Sequence, residues 1–524
     1  MRRTGNLAAV SEPIPLRPTT VVETPLADVA AWLGDRLITL SGAQQPLQAR
    51  VTGVAMSSRR VQPGDVYVAP AGSTAHGASY ATDGVAAGAV AVLTDREGAA
   101  ICAGLDVPVL VVERPRAEVG ELAARVYGHP AEKMRMVAVT GTQGKTTTTR
   151  LAEGALTATG VPAAVVGTVG TRIAGTDVKT SLTTPEAPDL HALFAVMVER
   201  GVTACVMEVS SHALVMGRVD GVVFDLACFT NLGRDHLDFH ADVEDYYQAK
   251  ASLFTPRRSR AALVNVDDEH GRRLAGETAL PLRTYSAAGA EADWRATDAS
   301  LEPSGSTFTV LPPDGVAFEA HVPLAGDFNV ANALCAVAAL GEVGFDPATV
   351  AAALAGSAGV PGRLERVDAG QDFLAVVDYA HKPDAVVAVL RTLRPMTTGR
   401  LVVVLGAGGD RDTGKRPLMG EVAARLADVL VVTDDNPRSE EPAAIRAEVL
   451  GGARAVPADD RAEVHEVGDR REAIRLAVSL AGAGDSVVVA GKGHETGQEV
   501  AGTVHPFDDR VVLREELVGR SVQQ

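Results

Sequence analysis

Residues 134–156 read MRMVAVTGTQGKTTTTRLAEGAL. An apolar, β-branched run (134–140) leads into Gly141-Thr142-Gln143-Gly144-Lys145-Thr146, and a stretch compatible with a helix follows. Strand, glycine-rich turn and helix in that order suit a phosphate cradle. Backbone N–H groups of the turn and of the helix N-terminus can face phosphate oxygens, Lys145 supplies a cation for the β- and γ-phosphates, and the Thr146 hydroxyl can ligate Mg²⁺. The longer form of such loops has a glycine five residues before Gly144, where this chain has Val139, so the pattern is the shorter GxxGKT. An ordinary glycine-rich turn with a surface lysine is the competing reading; the strand–loop–helix context favours nucleotide binding.

Working outward, short β-branched runs alternate with Ala/Leu/Glu/Arg stretches of helical spacing, the pattern of parallel α/β units. Three blocks emerge. The first, 25–133, holds VYVAP (66–70), AVAVLTD (89–95) and a helix around 117–127. The second, 134–361, continues with strands at 161–167, 204–210, 222–231 and 260–267. The breaker cluster Gly359-Val360-Pro361-Gly362 reads as a linker to the third, 362–524, with strands at 373–380, 400–408, 428–435 and 485–493. A length of 524 residues accommodates three or four domains. The net charge of −17 argues against a nucleic-acid-binding surface but not against a local basic pocket. Four cysteines far apart, with no CxxC, suggest buried thiols in a reducing compartment rather than disulfides or zinc. No apolar run approaches the ~18 residues that span a bilayer, and the first residues lack the apolar core of a secretory signal. The expectation is a cytoplasmic protein with no membrane insertion, whose residues 1 to about 20 form a loose tail.

Individual residues add chemistry. Glu208 ends the apolar strand ACVME, where a carboxylate can hold Mg²⁺ on a nucleotide; a capping or salt-bridged glutamate is the plainer alternative. Asn329 and Asn332 in GDFNVANALCA share a face if a helix starts there, with Asn329 read as its N-cap. Asp435-Asn436-Pro437-Arg438 follows the strand DVLVVT, at the strand edge where α/β ligands bind, although an Asn-Pro turn with an exposed arginine is a common loop. Lys250 lies in DVEDYYQAKASLF, which reads as a helix with Tyr246 and Phe254 four residues to either side.

GTQGKTTTT resembles the nucleotide loop of the Mur ligases, ATP-dependent amide-forming enzymes of peptidoglycan precursor synthesis. MEVSSHAL (207–214), FTNLGRDHLDFH (229–240), YYQAKASLF (246–254), GDFNVANALCA (326–336), GRLERV (362–367), DYAHKPDA (378–385), GGDRDTGKRPLM (408–419), TDDNPRSEEP (433–442) and GKGHE (491–495) match in the same order, so the likeness runs from about 50 to 510. It is strongest to the ligases that add the third residue of the stem peptide. The resemblance implies three α/β domains: a UDP-sugar-binding domain, a central P-loop ATPase-like parallel-sheet domain and a C-terminal Rossmann-like domain. It implies ATP contacts at Gly141, Thr142, Gln143, Gly144, Lys145, Thr146, Thr147, Asn329, Arg363, Asp378 and His381. Met56, Ser58, Ser73, Thr74, Ala75, Thr183, Thr184, Ser210, Met216 and Arg218 match positions that hold the UDP-MurNAc-dipeptide; Met216 departs from the glutamine of some relatives. Arg411, Asp435, Asn436, Pro437, Arg438, Gly491 and Glu495 match the amino-acid pocket. In that family DNPR marks the enzymes that add meso-diaminopimelate, whose extra carboxylate relative to lysine suits a bidentate arginine.

The resemblance also implies Mg²⁺ held by Thr146, Glu208, His236 and Lys250, with Lys250 carbamylated by CO₂. An ammonium near two Mg²⁺ ions would repel them, whereas a carbamate offers anionic oxygens; a lysine snorkelling from a helix face is the plain alternative. The implied partners are ATP, UDP-MurNAc-L-Ala-D-Glu and meso-diaminopimelate, acted on by a monomer. Another amide ligase, folylpolyglutamate synthetase or a lysine-adding relative, is the alternative within the class, set apart by DNPR and the first block. A non-catalytic nucleotide-binding protein needs neither Lys250 nor the Arg438 pocket.

Overall fold

The computed structural model describes residues 14–41, 47–180, 182–357 and 359–523. These form two compact units. One runs to Val137 and includes Val161–Asp225; the other comprises Ala138–Gly160 and the described residues from Leu226 onward. The strand Arg135–Thr140 passes from the first into the second.

In the first unit a five-stranded sheet has the order 39–41, 109–111, 91–94, 65–69, 53–55, parallel except for its first, antiparallel pair. Helices Leu26–Leu33 and Pro115–Val126 bury Leu26, Val29, Leu33, Val119, Leu122 and Ala123 against Val54, Val66, Val68 and Leu93 of this sheet. The same unit holds the parallel pair Ala163–Gly167 and Ala204–Glu208, extended by the hairpin strands Gly170–Ile173 and Thr176–Val178.

In the second unit Leu226–Phe229, Ala262–Asn265, Leu282–Ser286 and Trp294–Glu302 pair parallel in succession, followed by two antiparallel strands, Gly305–Leu311 and Phe318–Val322. A separate six-stranded sheet has the order 365–366, 374–378, 486–490, 401–405, 429–432, 463–466, antiparallel only at its first pair. Its chemistry explains its form. In LVVVL, Leu401, Val403 and Leu405 enter one core while Val402 and Val404 enter another, so period-two alternation feeds apolar side chains to both faces. A sheet buried on both faces needs helices on both, which is the doubly wound arrangement.

The structure corrects four sequence expectations. Residues 1–13 of the expected loose tail lie outside the described residues, but 14–20 are held: Arg17 forks onto the buried Asp65 at 2.5 and 2.8 Å, and the backbone N–H groups of Thr19 and Thr20 donate to Glu199. The linker-like cluster is packed rather than loose. Val360 is buried, and Gly362, at φ +67, abuts the backbone of Gly493 and His494 so closely that a Cβ would collide. Asn329 is not an N-cap: Gly326 precedes the helix Asp327–Glu342, and Asn329 sits within its first turn, donating to the Ala325 carbonyl at 2.8 Å. The helix bearing Lys250 ends at Ala251, so Phe254 lies beyond it and packs edge-on against Phe229 instead.

Candidate active site

The loop at 141–146 is built by its glycines and braced from a neighbouring loop. Gly141 (φ +150) and Gly144 (φ +85) occupy backbone conformations that L side chains rarely adopt, and a Cβ on either would strike Thr230 or Asn332. Thr230 Oγ1 donates to the Gln143 carbonyl at 2.6 Å, the Gln143 N–H donates to Asn231 Oδ1 at 2.9 Å, and the Thr142 N–H donates to the Asn231 carbonyl at 2.9 Å. The helix Lys145–Ala158 then opens directly from Gly144. Lys145 Nζ donates to the carbonyls of Gly141 and Thr142 at 2.8 and 3.1 Å. Thr146 and Thr147 are buried at the helix start.

Lys250 reaches the same loop. Asp242 caps the helix Val243–Ala251 by accepting from the Asp245 N–H, and Lys250, only 1% exposed, donates to the Gly141 carbonyl at 2.7 Å with Nζ 4.6 Å from the Tyr246 ring centroid. Burial, then the neighbouring Lys145 charge, push this amine well below the ordinary lysine range. His236 has φ +54 and contacts Asp235 at 3.0 Å. Asp235 also pairs with Lys382 of the DYAHKPDA segment. Burial alone would raise the Asp235 carboxyl, but the His236 hydrogen bond and the Lys382 ammonium hold it far below the usual range. Neither Asp235 nor Lys382 had been given a role from sequence. They lie 147 positions apart, and only the fold joins them.

The third block contributes more to this loop. Arg363 Nη2 donates to Thr146 Oγ1 at 3.4 Å, and its guanidinium stacks 4.4 Å from the Tyr379 ring centroid. Asp378 accepts from the backbone N–H of Leu364 and of Ala380, each at 2.8 Å, so both carboxylate oxygens already brace the turn that presents Arg363. Burial raises the Asp378 carboxyl, with Arg363 opposing it. His381 Nδ1 contacts the Tyr379 carbonyl at 2.7 Å, which requires a proton on that nitrogen; burial and then Lys382 keep the ring neutral. Asn332 Nδ2 donates to Asn329 Oδ1 at 3.2 Å.

A second polar cluster forms at the C-terminal edge of the six-stranded sheet. Arg438, at φ +54, is fixed by backbone bonds to the hairpin Gly497–Val500/Thr503–Pro506: its N–H donates to the Glu499 carbonyl, and its own carbonyl accepts from Ala501. Its Nη1 donates to the Gly409 carbonyl at 2.5 Å, and Nε lies 3.5 Å from Glu499. Asn436 Nδ2 donates to Glu495 Oε2 at 2.8 Å. Gly491 abuts Asp435, and Lys492, unassigned from sequence, is fully buried among Asp435, Asn436 and Glu495. Pro437 is buried and Arg411 is exposed on the adjacent loop.

In the first unit, Thr183, Thr184, Glu208, Ser210 and Arg218 gather. Glu208 Oε2 accepts from Thr168 Oγ1, whose oxygen also contacts Thr183 Oγ1 at 3.1 Å; the Glu208 carbonyl accepts from Thr184 Oγ1 at 2.9 Å. Ser210 caps the helix Ser211–Val215, and Met216 closes it. Arg218 binds Glu186 at 2.9 Å and the Thr184 carbonyl at 3.4 Å. Ser73, Thr74 and Ala75 are exposed in the loop closed by the Ala71–His76 bridge, Ser58 opens the short helix Ser58–Arg60, and Met56 packs against the core. Among the described residues no three His, Cys, Asp or Glu side chains gather as a metal cage, and no helix is long and apolar enough to cross a membrane.

Fold and loop define a class: multidomain α/β proteins with a glycine-rich strand-to-helix turn of the kind that can cradle phosphates. Family models match in three consecutive segments: "Mur ligase family, catalytic domain" over 50–127, "Mur ligase middle domain" over 139–340 and "Mur ligase, glutamate ligase domain" over 362–493. The chain belongs to the Mur ligase family. It is 55% identical over 506 residues, 96% of its length and 98% of the relative's, to the UDP-N-acetylmuramoyl-L-alanyl-D-glutamate–2,6-diaminopimelate ligase of Streptomyces coelicolor. It is 45% identical, over 96% of its length and 98% of the relative's, to the UDP-N-acetylmuramyl-tripeptide synthetase of Leifsonia xyli. A solved structure of a UDP-N-acetylmuramoyl-L-alanyl-D-glutamate–2,6-diaminopimelate ligase superposes with a TM-score of 0.66 at 32% identity, covering 95% of this chain and all of that one.

Proposed function

We propose that this chain is an ATP-dependent, ADP-forming amide ligase that joins meso-2,6-diaminopimelate to UDP-MurNAc-L-Ala-D-Glu. The observation that carries the substrate reading is the polar cluster around Asp435–Arg438. Its Arg438 guanidinium lies 3.5 Å from Glu499, and Asn436 ties in the Glu495 carboxylate, so cationic and anionic groups suited to a zwitterionic amino-acid end share one cluster; Arg438 is held there in a strained backbone by the hairpin. The likeness to the Streptomyces coelicolor ligase supports it.

The γ-carboxylate of the D-glutamyl residue attacks the γ-phosphorus of ATP; the bond to the β,γ-bridging oxygen breaks, giving an acyl phosphate and ADP. The free amine of diaminopimelate then attacks the acyl carbon, phosphate leaves, and the amine's proton passes to solvent. Lys145 balances charge on the transferring phosphoryl group, and Arg363 approaches from the third block. The UDP-sugar domain spans 25–133, the ATP-binding domain 134–361 and the amino-acid-binding domain 362–524, and the enzyme works as a monomer in the cytoplasm.

Thr146, Glu208, His236 and a carbamylated Lys250 would hold Mg²⁺. A hydroxyl, carboxylates and an imidazole are donors that cation accepts, and a site completed by ATP oxygens needs no all-protein cage. When bound, Mg²⁺ neutralises phosphate charge. The Lys250 environment fits the modification: a buried amine held neutral can attack CO₂, forming an N–C bond and releasing one proton to give the carbamate. Phosphate release from ATP with the UDP-dipeptide tests the reading. It should require meso-diaminopimelate and proceed far more slowly with L-lysine; equal rates with the two amino acids would overturn the substrate assignment.

A further inference from the structure

Lys492 is a lysine with no exposed surface, a costly placement unless its charge is answered. Its neighbours in GKGHE explain how it gets there. Gly491 and Gly493 have φ +117 and +54, and a Cβ on Gly493 would collide with Tyr379, so the glycines on either side permit the turn that sends Lys492 inward. Nζ then meets Asn436 Oδ1 at 2.9 Å, Asp435 Oδ1 at 3.4 Å and Glu495 Oε2 at 3.4 Å. Asn436 Oδ1 also accepts the Glu499 N–H at 3.0 Å, so its oxygen is committed to two donors and its Nδ2 must point at Glu495 Oε2. Two carboxylates and one ammonium leave a net charge of −1, which one further ammonium would answer.

We propose that Lys492 is a positioning residue that keeps Glu495 charged and oriented to receive the distal ammonium of the incoming diamino acid; this rests on the diaminopimelate reading above. Replacing a purely structural lysine would lower stability without changing how the diaminopimelate KM depends on pH. Lys492 differs because Glu495 faces a like charge. Burial and then Asp435 raise the Glu495 carboxyl, while Lys492 and the Asn436 amide lower it. Arg470, which also feels both Asp435 and Glu495, is already ion-paired with Asp509 at 2.7 Å. Without Lys492, Glu495 binds a proton at higher pH and can no longer attract an ammonium until the pH rises.

The test is the diaminopimelate KM of Lys492→Met and of the wild type, measured between pH 7 and 9.5. The expected KM is raised about ten- to a hundredfold at pH 7, and the ratio to wild type narrows as pH rises, while the KM for ATP stays unchanged. In a Glu495→Gln background, Lys492→Met should cost little more, since the carboxylate it serves is gone. If Lys492→Met is insoluble, Lys492→Gln, which keeps the bond to Asn436 and loses the charge, should show the same pH trend. A KM unchanged in the variants, or raised by a factor independent of pH, overturns the assignment while the function stands. A wild type that does not use diaminopimelate overturns the functional reading and, with it, this inference.

Discussion

Lys145 lies over the loop it is proposed to serve, its ammonium on the Gly141 and Thr142 carbonyls. Lys145→Ala should lower phosphate release by ~10²–10³-fold or more, the scale of losing a charge-stabilising donor; near-normal turnover would contradict the loop's role. Lys250→Ala should be similarly inactive, and a short-chain carboxylate such as formate should restore part of the rate by standing in for the carbamate. A fully active Lys250→Ala enzyme rules the carbamate out. Arg438→Ala should weaken diaminopimelate use roughly two to three orders of magnitude and leave ATP binding intact, as removal of a bidentate charged pair does; an unchanged kcat/KM for diaminopimelate contradicts it. The motifs carrying these side chains were legible because glycine spacing and strand ends leave short-range marks. Asp235–Lys382 and the partners of Lys492 were not, because Lys382 finds Asp235 147 positions away, and the glycine-flanked turn at Lys492 does not by itself reveal that Asp435 and Asn436, 57 and 56 positions away, receive its ammonium.

At the scale of elements, caps explain much of what the periodicity missed. Asp95, Asp242, Asp268, Asp346 and Asp469 each accept a backbone N–H at a helix start, fixing boundaries that apolar spacing leaves vague. The hairpin Gly497–Pro506 had no strong sequence signal. Its turn uses Ala501-Gly502, both with positive φ, where Asn-Gly would have announced it. The helix Ala187–Glu199 carries a pH-dependent element. His191 is fully buried, its Nε2 meets the Asp220 carbonyl at 3.0 Å, and its Nδ1 is buried without a hydrogen-bond partner. Burial lowers its pKa from 6.5 to about 4. The unfolded chain therefore takes up this proton first, so His191 contributes stability above pH 6.5 that is lost as pH falls toward 4, about 3 kcal/mol in full. Urea midpoints followed from pH 7 to 4 should fall in the wild type and fall less in His191→Phe; identical slopes would contradict this account.

For the whole molecule, α/β class and strand positions were readable because doubly covered sheets need continuous β-branched runs, as in 401–405 and 429–432. The two compact units were not, since the strand Arg135–Thr140 belongs to both and sequence carries no sign of such sharing. The holding of residues 14–20 was missed because Arg17 finds Asp65 48 positions away. The account's central claim, that the protein forms an amide between UDP-MurNAc-L-Ala-D-Glu and diaminopimelate, is most directly tested by the mass of its product. With ATP, Mg²⁺ and an equimolar mixture of meso-diaminopimelate and L-lysine, the account predicts a UDP-sugar species heavier by one diaminopimelate residue and little of the lysine adduct. A predominant lysine adduct, or ADP formed with no heavier UDP-sugar, would contradict it.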